Sequence, residues 1–219
     1  MSPKTCPFYA LPYDPEGPPY NAWGLYGPDD ELGRLNLITP EAIKRGRDEI
    51  KEGIAISLNM PLGMRAWTKH RDTFKHEIAP LNGMGFGTGP SRTFQSKAST
   101  GLTEAFLALS EDEYADMLSK PRESAGVQQG EEMYRWHWEK GIAAVASDTI
   151  GYESLPHQTQ PSCHDVFLGA WGMPIGELFD LRELSRQCER LGRWSFFFAS
   201  MPLLVEGGIA SPPNAQAIL

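Results

Sequence analysis

The sequence predicts a mixed protein of the α/β or α+β class built around one core. Capped helical segments alternate with short apolar runs of strand length along the chain. Glycine and proline punctuate the joins between them. With 219 residues, 41% hydrophobic and 22% charged, the chain has the make-up of one globular domain, or at most two.

Residues 1–28, rich in Pro, Gly and Tyr, predict an extended arm over the surface. Thr39 then suits a helix N-cap, Pro40 the first helical position and Glu41 the positive helix end. That helix is predicted to run to Glu52 and stop at Gly53. Ile54, Ile56 and Leu58 alternate with small or polar residues, as in a short strand. Residues 82–101 mix Gly83, Gly85, Gly87, Gly89 and Gly101 with Ser, Thr and Pro, the composition of a loop.

Ser110 with Glu113 makes a capping box for a helix to Ser119, broken by Pro121. Glu131–Lys140 reads as a further helix ended by Gly141, and Ile142–Ala146 as a buried strand. Asp148 lies just beyond that strand, where a polar residue either lines a cleft or caps a turn. His164–Trp171 is a candidate short helix, closed by Gly172 or Pro174. Asp180 and Glu183 are expected to cap a helix whose stripe is Leu181, Leu184, Cys188 and Leu191, with Cys188 in the core. Trp194–Ala199 and Leu203–Val205 complete the list as strands.

The net charge is −8, from 28 acidic and 20 basic residues, and no basic tract occurs. A nucleic-acid partner is therefore not expected. Cys6, Cys163 and Cys188 have no regular spacing, which argues for free thiols and a cytoplasmic setting. No apolar run suits a signal peptide or approaches the roughly 20 residues of a membrane span, so no membrane partner is expected.

The five histidines form no H-x-x-x-H or H-E-x-x-H pair. His70 and His76 lie in a polar stretch that reads as a solvated loop. His137, between Trp136 and Trp138, reads as a packing residue. Asp148, Glu153, His157 and His164 crowd together after the predicted buried strand. Such a cluster could bind a metal or move protons, or simply cap turns. No G-x-S-x-G elbow marks a serine hydrolase.

Four segments, in order, resemble the cyclase family that includes bacterial kynurenine formamidase and isatin hydrolase. They are WGLYGPDDELGRLNLITPEAI (23–43), AAVASDTIGYESLP (143–156), CHDVFLGAWGMPIGELFDLRELS (163–185) and MPLLVEGGIASPPNAQAI (201–218). Their wording is closest to the fungal branch. The resemblance implies a single cyclase-like domain over residues 1–219 with an α/β, swivelling β/β/α fold, and a C-terminal strand in the last segment. It implies an enzyme of secondary metabolism acting on a small aromatic or polyketide-like molecule by hydrolysing an amide, lactam or ester, or by cyclisation. A divalent zinc or manganese ion would activate water there.

Carried over by position, His164 and Glu177 match the late metal-binding and catalytic residues of the family, with Asp148 a lesser catalytic candidate. The family's central H-x-G-T-H-x-D string is absent. The resemblance therefore implies loss of a central portion, joined within residues 82–101, and a metal held weakly by His164 and Glu177. Missing strands would expose sheet edges that a homo-oligomer could cover. The alternative is a non-catalytic member that binds a small molecule or a full-length relative.

Overall fold

A computed structural model of the chain describes residues 4–61, 109–120 and 123–219. The chain divides into two compact units, one of Met1–Met60 with Pro121–Leu219 and one of Pro61–Lys120. In the second unit the described element is helix α2, Glu111–Ser119. Its capping box forms as the sequence predicts, with Ser110 Oγ accepting from Glu113 N–H and the Glu113 carboxylate accepting from Ser110 N–H. The Gly-rich stretch 82–101, His70 and His76 lie outside the described residues.

The first unit holds two small sheets. Strands β1 (Ala55–Ser57), β4 (Phe197–Ser200) and β5 (Ala215–Ile218) form an antiparallel sheet with β5 in the middle. Ala217 sits opposite both Ile56 and Phe198. Strands β2 (Val145–Ala146) and β3 (Ile175–Gly176) pair in parallel. The helices of this unit are α1 (Pro40–Arg47), α3 (Glu131–Glu139) and α4 (Arg182–Leu191), with a π-helical segment at Asp165–Ala170.

Two apolar clusters bury these elements. Phe8, Tyr134, Trp138, Phe167, Trp171 and Met173 dominate the first. Ile56, Leu58, Phe179, Leu184, Cys188 and Ala217 form the second, beneath the antiparallel sheet. Leu184 and Cys188 are the inward stripe of α4, as their spacing predicts. Among the described residues, no helix is long and apolar enough to cross a membrane.

Several elements stop short of their predicted ends because tertiary bonds outweigh local propensity. Helix α1 follows the Thr39 cap, whose side chain accepts from Ala42 N–H, but it ends at Arg47 rather than Glu52. The chain then turns so that the N–H groups of Glu52, Gly53 and Ile54 meet the Leu219 carbonyl. The predicted strand Ile142–Ala146 shrinks to β2. Its first residue serves the end of α3 instead, since Ile142 N–H donates to His137 O and Ile142 O accepts from Arg34 Nε. Asp180 lies one residue before the N-cap of α4, Leu181, and its Oδ1 accepts from the first helical N–H, that of Arg182, at 3.3 Å. It holds the Arg182 guanidinium through two bonds of 2.5 Å. Leu203–Val205 is not a strand but an exposed loop between β4 and β5.

Candidate active site

Three loops of the first unit bring the site together. The first follows β2 and carries Glu153, whose backbone bridges to Val127. Gly126 allows that approach, because a Cβ there would fall 2.3 Å from the Glu153 carbonyl carbon. The second is the entry to the π-helical segment. Ser162 and Asp165 fix it reciprocally: Asp165 Oδ2 accepts from Ser162 N–H at 2.8 Å, and Ser162 Oγ accepts from Asp165 N–H at 3.1 Å. Val166 and Phe167 anchor it in the core, leaving His164 facing outward. The third loop leaves β3 and begins with Glu177, whose Oε1 accepts from Tyr152 N–H at 2.8 Å.

The result is a line of three side chains. His164 Nδ1 lies 2.7 Å from Glu153 Oε2, and His164 Nε2 lies 3.2 Å from Glu177 Oε1. Glu153 is 1% exposed, whereas His164 and Glu177 are 37% and 29% exposed. The buried carboxylate thus orients the ring, and the outer pair faces solvent. Hydrogen bonds to Glu153 and then Glu177 push the His164 pKa up to about 10, against the opposing effect of burial. The ring is an imidazolium at neutral pH. Burial raises the Glu153 carboxyl, but the bonds and charge of His164 outweigh it and hold Glu153 below the usual range.

His157 Nδ1 stands 3.6 Å from Glu153 Oε1 and 2.9 Å from Gln129 Nε2. Gln129, 4% exposed, pins this loop further, since its Oε1 accepts from the N–H groups of Gln158 and Thr159. His137 is a core residue, 1% exposed, with Nε2 2.8 Å from Tyr152 Oη.

Sequence reading singled out His164 and Glu177, and the fold brings these two into contact. It brings Asp148 into contact with neither: the residue is half-buried in the turn after β2, and no hydrogen bond or ion pair joins it to the pair. Glu153 is the group that sequence reading left in the background. Its place shortly before both His157 and His164, beside the turn before Pro156, was the available signal.

The metal implied by the resemblance can be tested against these donors. A tetrahedral ion with bonds of zinc length needs two ligand atoms about 3.3 Å apart. The His164 Nε2 to Glu177 Oε1 distance of 3.2 Å suits that requirement, and Glu153 on Nδ1 suits the carboxylate that usually backs a ligating imidazole. His164 lies between the two carboxylates, however, so all three cannot converge on one ion. Among the described residues no group of three or more donors could hold a metal. The described residues therefore supply two of the three protein ligands that a catalytic zinc needs.

The triad opens to the surface. Neither a cavity of about 310 Å³ beside Trp23 and Asp30 nor one of about 470 Å³ beside Tyr9 and Arg135 is lined by His164 or Glu177.

Comparison with solved structures finds a crystal structure described as a novel cyclase, with a TM-score of 0.72 at 22% sequence identity. The fold is similar to that of this solved structure. The likeness covers 91% of this chain and 99% of that one, so the two have similar extent. At this identity the cyclase-like architecture is what the two share. No family model matches the sequence, and no curated protein matches it.

Proposed function

We propose that the chain is a cyclase-family enzyme that hydrolyses or cyclises a small aromatic or polyketide-like molecule. The observation that carries this reading is the Glu153–His164–Glu177 line on a cyclase-like fold. In this role His164 is the acid. Its Nε2–H donates to the oxygen or nitrogen on which charge develops as a carbonyl is attacked. Glu177 Oε2 has no hydrogen-bond partner among the described residues, which suits it to take a proton from the attacking hydroxyl or water. Glu153 positions the ring and holds it charged. Asp148 has no part in the line and enters only if substrate binding moves its turn.

A bound zinc or manganese ion would supply Lewis-acid activation of water at His164 and Glu177. The two-donor geometry supports weak binding at most. The missing H-x-G-T-H-x-D string supports a lost central portion, while the similar extent of the matched cyclase speaks against a long loss. The swivelling β/β/α architecture, the fungal-type assignment, a role in secondary metabolism and a cytoplasmic location belong to the same reading.

The test is turnover of aryl formamides, lactams and aryl esters, with and without added Zn²⁺ or Mn²⁺, alongside the metal content of the protein. His164→Ala and Glu177→Gln should each lower kcat/KM by roughly 10²–10⁴-fold, the usual worth of positioned acid–base groups. Activity unchanged in both variants would refute the roles. The two-donor metal set favours a second reading, a non-catalytic member that binds a small molecule or a full-length relative. That reading wins if no substrate turns over but calorimetry shows an aryl lactam binding wild type and not His164→Ala.

A further inference from the structure

The N-terminal segment and helix α3 enclose a hollow of about 470 Å³ that neither His164 nor Glu177 lines. One side of it is aromatic. Phe8 is buried and stacks on Tyr20, with ring centroids 5.7 Å apart and planes 20° from parallel. Tyr9 stands beside them, 88% exposed. The other side comes from α3. Glu131, Arg135 and Glu139 follow one another at four-residue steps there, so they share one helix face.

The aromatic side is fixed in place. Trp138 Nε1 donates to Cys6 O and Trp171 Nε1 to Tyr20 O, each at 2.8 Å. Tyr20 lies in the left-handed region at φ 64°, a conformation that costs a tyrosine energy. In that conformation its ring meets Phe8, and its hydroxyl lies 3.4 Å from Glu131 Oε2.

The charges favour a cation. Arg135 Nη2 donates to Glu131 Oε1 at 2.6 Å, and the guanidinium carbon lies 5.5 Å from the centre of the Phe8 ring. A cation of the chain itself thus already rests over an aromatic face beside a carboxylate. The Glu139 carboxylate has no hydrogen bond or ion pair with any described residue. Two carboxylates against one guanidinium leave the hollow with an excess negative charge. The faces of the rings are negative as well. An anion is repelled by both, and a neutral ligand leaves Glu139 uncompensated. A small organic monocation pairs with Glu139 and covers the rings with its apolar body.

We propose that this hollow binds a small organic ammonium ion with an apolar body, its nitrogen held by Glu139 and by the exposed aromatic faces. The inference does not depend on the chemistry proposed for His164 and Glu177. Calorimetric titration of the full chain with phenethylammonium tests it, against neutral 2-phenylethanol and the anion phenylacetate. The ammonium should bind with a Kd of about 1 mM or tighter, and each analogue roughly tenfold more weakly or worse. Glu139→Gln should weaken the ammonium about threefold, the worth of a partly exposed ion pair, and Tyr9→Ala by a similar factor through a lost cation–π contact. Glu131→Gln combined with Glu139→Gln leaves Arg135 as the one charge lining the hollow, and should weaken the ammonium roughly tenfold or more. All three substituted positions are exposed, so the circular dichroism spectrum should not change. No saturable binding by the wild type would overturn the proposal. So would equal affinity for 2-phenylethanol, or binding undiminished in Tyr9→Ala or in the double variant.

Discussion

Glu153→Gln isolates what the buried carboxylate does. The substitution keeps the shape of the side chain and an oxygen to accept from His164 Nδ1, but removes the charge 2.7 Å from the ring. An opposite charge at such a distance raises an imidazole pKa by roughly 1–3 units. The His164 value, about 10 in the wild type, should fall by that amount. Long-range ¹H–¹⁵N spectra of the histidine rings, recorded from pH 5 to 11, report it directly. One ring should remain imidazolium at pH 8 in the wild type, and its signals should vanish from that position in His164→Gln. The reasoning is refuted if every histidine of the folded wild type is neutral by pH 8, or if Glu153→Gln leaves the high titration in place.

The same shift has a consequence for stability. The folded value of about 10 lies above the unfolded value of 6.5. The contribution is therefore fully present below pH 6.5 and is lost as pH rises through about 10. The ring is 37% exposed, so solvent screening reduces the contribution to on the order of 2 kcal/mol. Urea unfolding at pH 6, 8 and 10 should show the wild type losing its advantage over His164→Gln across that window. A constant gap would separate packing from charge in favour of packing.

Three further substitutions test the scaffold. Arg34, 2% exposed, donates to Ile142 O at 2.9 Å and lies 4.4 Å over the Trp138 ring. Arg34→Met should cost roughly 3 kcal/mol by stranding the carbonyls at the end of α3, seen as a lower urea midpoint. Gly33 has φ +53°, and a Cβ there would fall 2.5 Å from Trp171 O. Gly33→Ala should cost about 2 kcal/mol or more in thermal unfolding. Gln129→Ala removes the acceptor for Gln158 and Thr159 N–H and should speed amide exchange at those two residues while leaving β5 protected.

What was legible in the sequence follows from how far each signal reaches. The Ser110–Glu113 box spans three residues and forms as predicted, because both partners lie within one helical turn. The stripe of α4 was equally legible, since its period is set by the helix itself. Strand β5 was not legible from its residues. Ala215, Gln216 and Ala217 have little strand preference, and their place in the middle of a sheet is imposed by β1 and β4 on either side. The resemblance alone pointed to a strand there.

The site divides in the same way. The contact between His164 and Glu177 was anticipated by position in the resembling segment, while Glu153, named in the sequence as one of a cluster of four, is set apart by its burial, a tertiary property. Its geometry has a simple cause all the same. Strands β2 and β3 are parallel, so the loops that leave them emerge at the same end of the pair. The loop after β2 delivers Glu153 and the loop after β3 begins with Glu177. Both carboxylates therefore reach the one imidazole placed between them. A two-residue ladder is a slight support for such a site. The bonds that keep it in register are the Val145 N–H to Pro174 O and Ser147 N–H to Gly176 O links, and the Glu177–Tyr152 bond ties the two loops beyond it. The Glu177 carboxylate thus serves the site in two ways, as a partner of His164 and as the clasp that holds its own loop against that of Glu153.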